Sequence, residues 1–226
     1  MYRSNASSYE KTTEPIYIPP PPAIRPEAHV VKWRQNLTRT LAVALSLTLL
    51  FAEGGAAASR LGSITCQVLG LFFVTVAAFG RLWALMFIAG AKDNVVVAQG
   101  PYSMVRNPLY CFSFVGAAGI GFASGSLIVT VVLLLAFALY YPHVIATEEK
   151  RLLARHGGEY ADYCKRTPRY IPNLALWSEP KTYNVNVRSF RRAIFDAVWF
   201  VWVYGLIQAA VDLHEMGALP VFFKIP

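Results

Sequence analysis

Residues 62–90, GSITCQVLGLFFVTVAAFGRLWALMFIAG, contain one charged side chain, Arg81. A helix needs roughly 20 apolar residues to cross the hydrocarbon core of a bilayer. Lipid cannot satisfy backbone polar groups, so only helices and closed barrels span it. This stretch therefore restricts the chain more than any other feature. Four further segments follow the same rule: 37–58 (LTRTLAVALSLTLLFAEGGAAA), Pro108 to about Phe122, 127–147, and 193–213 (AIFDAVWFVWVYGLIQAAVDL). The composition agrees, because 15% charged residues falls well below the roughly 25% of soluble domains. The expected fold class is an all-α integral membrane protein with about five transmembrane helices. Two segments have rival readings. Lys32, Arg34 and Arg39 before an apolar run that ends in three alanines imitate a cleavable signal peptide. Asp196, Gln208 and Asp212 in the last segment also suit an interfacial helix.

The net charge of +8 invites a nucleic-acid reading, but its distribution argues against one. With the N-terminus inside and five spans, all of the 21 Lys and Arg except Arg60, Arg81 and Lys224 fall on the cytosolic side or at its boundary. That is the positive-inside pattern of a multi-pass protein. Cys66, Cys111 and Cys164 are far apart, and the four histidines show no ligand spacing. Neither a disulfide framework nor a metal site is expected. Residues 1–36 read as a flexible cytoplasmic tail, in which EPIYIPPPPAIRP favours extended polyproline II.

Between the second and third apolar segments lies GPYSMVRNPLYCF. Gly100-Pro101 is turn chemistry. Asn107-Pro108 reads as a helix start, with Asn as N-cap and Pro at the first helical position. Arg106 beside that helix end suits a carboxylate, and Tyr102 and Tyr110 offer faces to a cation. Ordinary interface anchoring is the alternative. Further on, Pro142 should bend the fourth segment. Glu148 and Glu149 follow at the membrane boundary, about 100° apart on a helix, so one can face the bundle and the other water. Gly157-Gly158 should end that helix. Tyr160, Tyr163, Arg166 and Arg169 then form either a lid over Arg106 and Glu149 or a basic–aromatic collar on anionic headgroups.

In this order and spacing, RNPLY at 106–110, EE at 148–149 and GGEYADYCKRTP at 157–168 resemble the isoprenylcysteine carboxyl methyltransferase family and its phospholipid methyltransferase relatives. The likeness covers about residues 65–172. Asn107 stands where the eukaryotic enzymes have histidine, and Phe112 where many relatives have glycine. The resemblance implies S-adenosyl-L-methionine as cofactor, covered by a cytosolic C-terminal segment. It implies a donor site of Arg106, Asn107, Pro108, Tyr110, Glu148 and Glu149, to which Tyr102, Tyr160 and Tyr163 are added. Glu149 and Arg166 are the expected catalytic residues. Arg81 and Arg169 are the expected substrate-binding residues, with Glu53 as an alternative structural partner for Arg81. The expected organisation is a tail (1–36), a methyltransferase core (37–172) and a C-terminal extension (173–226). The acceptor would be a lipidated or isoprenoid amphiphile reached from the bilayer and methylated at a carboxylate, with phospholipid amine N-methylation as the runner-up. A sterol-type reductase and a non-catalytic scaffold are the readings of other classes. Homo-oligomerisation is left open.

Overall fold

A computed structural model describes residues 52–54, 59–89, 95–183, 185–218 and 223–225. The tail and most of the first expected span lie outside these residues. The part of that span that is described is not helical: Ala52–Gly54 (β1) is extended and pairs in parallel with Phe223–Ile225 (β2). The other described elements are helical, and the α-helices are α1 (Arg60–Ile88), α2 (Pro101–Met104), α3 (Pro108–Ala123), α4 (Leu127–His156), α5 (Gly158–Arg166) and α6 (Val187–Glu215). Among the described residues, three helical segments are long and apolar enough to cross a membrane: α1, α4 and 197–214 within α6. The shorter α3 has 16 residues, about 24 Å at 1.5 Å per residue.

Ser59 caps α1 by accepting a 3.0 Å hydrogen bond from Gly62 N. The buried face of α1 is Gly70, Val74, Ala77, Ala78, Gly80, Ala84 and Phe87, a stripe of mostly small residues at helical spacing. It packs against Gly119 and Ala123 of α3. The approach is backbone to backbone. A Cβ on Gly119 would lie 2.8 Å from Val74 N, and one on Gly70 would lie 3.0 Å from Gly119 O. Helices in lipid gain little from burying apolar side chains, so close contact between small residues holds them together. The outer faces carry Leu61, Phe72 and Phe79 on α1, Leu127 and Leu139 on α4, and Phe195 and Trp202 on α6, all strongly exposed.

The last helix lies along α1 and α3. Phe200 fills the groove at Gly116, Tyr204 donates to Gln67 O (3.1 Å) and Gln208 donates to Ala123 O (3.3 Å). The polar Gln208 that weakened this segment in sequence is thus satisfied inside the bundle. Pro142 sits within α4, which continues without a break to His156. Gly157, at φ +54°, terminates it, and α5 follows at once.

Candidate active site

One end of the bundle gathers the polar motifs. Gly100 turns the chain at φ +59°, where a Cβ would strike the Phe87 ring at 2.4 Å. Pro101 then opens the single turn α2. Residues 168–178 run back over this turn as a strap. Arg106 N donates to Pro168 O (2.9 Å), Asn173 N to Met104 O (3.0 Å), Ser178 N to Ser103 Oγ (3.0 Å) and Gly100 N to Ser178 O (2.8 Å). The expected boundary at 172/173 falls inside this strap.

Beneath it lies a cavity of about 290 Å³, lined by Tyr102, Arg106, Asn107, Pro108, Tyr110, Glu148, Tyr160 and Tyr163 among others. Every expected donor-site residue except Glu149 contributes to its wall. Arg81, Leu109, Ser113, Tyr141 and Leu152 also line it, with Ile88 and Val95, Val96 and Val97. Sequence reasoning did not select Tyr141 or Leu152, yet Tyr141, Ile145, Glu148 and Leu152 recur at helical spacing on α4, which is the signal that would have found them.

The two glutamates divide in an unexpected way. Glu148 faces the cavity, accepting from Tyr110 Oη (2.9 Å) and from Arg151 (3.3 Å). Glu149 is a latch. Its carboxylate meets Arg169 at 2.7 Å and Arg106 at 3.5 Å, and accepts from Asn107 Nδ2 at 3.2 Å. With a side chain 12% exposed, it ties α4 to the start of α3 and to the strap. Asn107 is correspondingly not the side-chain cap expected: no capping bond forms, and its amide donates to Glu149 and to Arg169 O instead. Pro108 does begin the helix.

Tyr163 Oη donates to Tyr102 O (2.7 Å). Burial, first of all, raises the phenol pKa of Tyr102, Tyr160 and Tyr163 well above the ordinary range. Burial works against the Arg106 cation, but a hydrogen bond with Cys164 and the Glu149 charge outweigh it, and its pKa rises. Arg81 hydrogen-bonds Ser113 Oγ, donates to Leu109 O (3.4 Å) and lies 5.6 Å from the centre of the Phe200 ring. The side chain of Glu53, its alternative partner, lies outside the described residues.

Besides Glu149, two expected residues are not in the cavity wall. Arg166 is exposed, donates to Asp162 O (3.3 Å), and lines a separate shallow depression on the outer side of α5. It does not reach the place expected of a catalytic group, because α5 turns Tyr160 and Tyr163 inward and their helical neighbours outward. Arg169 is spent on Glu149 and on the Tyr170 ring, whose centre is 5.4 Å away.

A membrane helix bundle with a half-open cavity of mixed polar and apolar lining at one end of its spans defines the class. The chain belongs to the phospholipid methyltransferase family, the membrane methyltransferases that include isoprenylcysteine methyltransferases; the family model matches residues 61–158. It is 44% identical over 151 residues, 67% of this chain and 69% of the relative, to the cobalt-zinc-cadmium resistance protein CzcN of Cupriavidus metallidurans. It is 42% identical over 164 residues, 73% of this chain and 76% of the relative, to the nickel-cobalt-cadmium resistance protein NccN of Alcaligenes xylosoxydans xylosoxydans. A protein-S-isoprenylcysteine O-methyltransferase of Schizosaccharomyces pombe matches at 33% over 81 residues, 36% of this chain and 34% of the relative. No solved structure matches the chain significantly. Members of the family generally use S-adenosylmethionine.

Proposed function

We propose that this membrane protein is an S-adenosylmethionine-dependent methyltransferase acting on a lipidated or isoprenoid amphiphile. The observation that carries the reading is the cavity itself, which joins a carboxylate and tyrosine end to the membrane-embedded Arg81. Its residues fit the donor. Glu148, held by Tyr110, offers a carboxylate to ribose hydroxyls or to an ammonium. Arg106 Nε is buried without a hydrogen-bond partner among the described residues, and a donor carboxylate suits it. The tyrosine rings suit a sulfonium. The volume stands at the lower edge of small-molecule sites, which run from about 300 Å³.

Bound there, the donor supplies an electrophilic methyl group. The chain's part is alignment and exclusion of water. A carboxylate acceptor and a sulfonium both lose charge as they react, so excluding water from the site favours the reaction. Arg81 is the group that would hold an anionic acceptor head arriving from the bilayer. The cavity end carries Arg106, Arg151, Arg155, Arg166 and Arg169, and the far end of α1 carries Arg60, which supports a cytosolic site.

The second reading is N-methylation of a phospholipid amine, favoured by the family description. An amine must be neutral to attack, and the Tyr110–Glu148 pair is then the proton acceptor at hand. Membranes incubated with methyl-labelled donor separate the two: base-labile label released as methanol indicates an ester, and stable headgroup label indicates an amine. Absence of any labelled lipid or lipoprotein overturns both. The names of the two bacterial relatives, a cobalt-zinc-cadmium and a nickel-cobalt-cadmium resistance protein, support metal tolerance as the physiological context. In that context, a metal-sensitive deletion strain should be rescued by the native chain and not by Glu148→Gln.

A further inference from the structure

Outside the cavity, the strap and the outer side of α5 form a second surface feature. Ile171, Leu174 and Trp177 are 80%, 72% and 60% exposed. These are large apolar side chains on a segment that is not a membrane helix. Ile171, Pro172, Leu174 and Leu176 form one wall of an open depression, and Lys165 and Arg166 form part of the other. Asp162 offsets Lys165 through a 2.8 Å ion pair, which leaves Arg166 as the further cation in the wall of the depression, among whose described lining residues there is no carboxylate.

The depth of the strap can be read from α1. Its 29 residues span about 44 Å at 1.5 Å per residue, matching a bilayer of about 40–45 Å with headgroups. Trp83 lies five residues from the end of α1, roughly 7.5 Å inside it, which is the boundary between headgroups and hydrocarbon. Trp177 packs edge to face on Trp83 at 6.2 Å between centroids, and Trp83 Nε1 donates to Glu179 (3.4 Å). The strap is therefore level with the membrane interface, where Trp is favoured and basic side chains meet anionic lipid.

We propose that the strap and the outer side of α5 form an anionic-lipid docking surface: Ile171, Leu174 and Trp177 sit among the headgroups beside α1, and Arg166 and Lys165 face lipid phosphates. A basic wall facing an apolar wall is complementary to the head and upper chain of an anionic phospholipid. Because Arg106 lines both this depression and the cavity, lipid seated here would brace the cavity from outside.

The test uses full-length protein in nanodiscs, with a benzophenone photo-crosslinking amino acid replacing Leu174, and the same probe at the lipid-facing Leu135 as control. In discs of equal phosphatidylglycerol and phosphatidylcholine, the probe at 174 should capture lipid, with phosphatidylglycerol enriched at least 3-fold over the Leu135 control. Lys165→Glu with Arg166→Glu should abolish that enrichment and leave the Leu135 adducts unchanged. Adducts at 135 with none at 174, adducts at 174 to a second protein chain, or enrichment that survives the charge reversal would each overturn the proposal.

Discussion

At the residue scale, Glu149 illustrates how a site acidic in sequence becomes structural in three dimensions. Its two oxygens serve Arg169, Arg106 and Asn107. Removing one partner of a largely buried ion pair leaves the others uncompensated, at about 3–5 kcal/mol. Glu149→Ala should therefore lower thermal stability in detergent by an amount in that range. Arg169→Ala should add little on top of it, and a double-mutant cycle measures that coupling. Tyr110→Phe keeps the fold but frees Glu148 from its hydroxyl. Under the proposed function it should weaken donor binding about tenfold, read by isothermal titration. The three buried phenols set an alkaline limit. Their folded pKa values lie above the unfolded value of about 10. Their contribution to stability is thus complete below about pH 10 and is lost as pH rises toward the folded values. Absorbance at the tyrosinate band should show these phenols ionising only as the protein unfolds, and Tyr163→Phe should raise the pH of alkaline unfolding. Tyrosinate formation ahead of unfolding would contradict their burial.

At the scale of elements, the α1–α3 crossing rests on missing side chains. A Cβ at Gly119 would intrude on Val74 N at 2.8 Å, which is backbone and cannot rotate away. Gly119→Val should cost at least the roughly 1–3 kcal/mol of overpacking, seen as a lowered melting temperature and loss of the monodisperse peak in detergent. Gly80 differs, because its Cβ would meet the Phe112 ring at 2.2 Å, and a side chain can move. Gly80→Ala should be the milder change, and pairing it with Phe112→Leu should recover most of the loss. The same contact explains the large residue at 112: the glycine at 80 makes room for it. Pro142, where a bend is expected, does not end the helix: α4 runs through it from Leu127 to His156. Helix breaking by Pro is offset in a bundle when neighbouring elements hold the segment on both sides.

At the scale of the whole molecule, the site is assembled from four places in the sequence. They are the end of α1, the turn at 100–110, the His156 end of α4, and α5 with the strap. Only the ends of helices are free of the close packing that binds the bundle, so the cavity forms where the helices stop. A ligand binding only the folded state stabilises it by about 2.7 kcal/mol at one hundred times its dissociation constant. Under the proposed function, S-adenosylmethionine should raise the melting temperature of the native protein, and not that of Glu148→Gln with Arg106→Ala. An equal shift in both would dissociate this cavity from the donor.

Hydropathy by itself determined the α1, α4 and α6 segments, because a run of apolar residues has one low-energy state in lipid whatever its neighbours do. Gly100, Pro108 and Gly157 fixed their turns and helix ends through backbone sterics that act within a few residues. The order of RNPLY, EE and GGEYADYCKRTP carried the family. The tertiary structure alone decided which glutamate faces the cavity, that Asn107 spends its amide on Glu149, that Arg166 lies outside, and that residues 173–178 fold back onto Ser103. Each of these depends on a partner tens of residues away, and the direction of a charged side chain is set by whichever partner satisfies it, which local sequence does not encode.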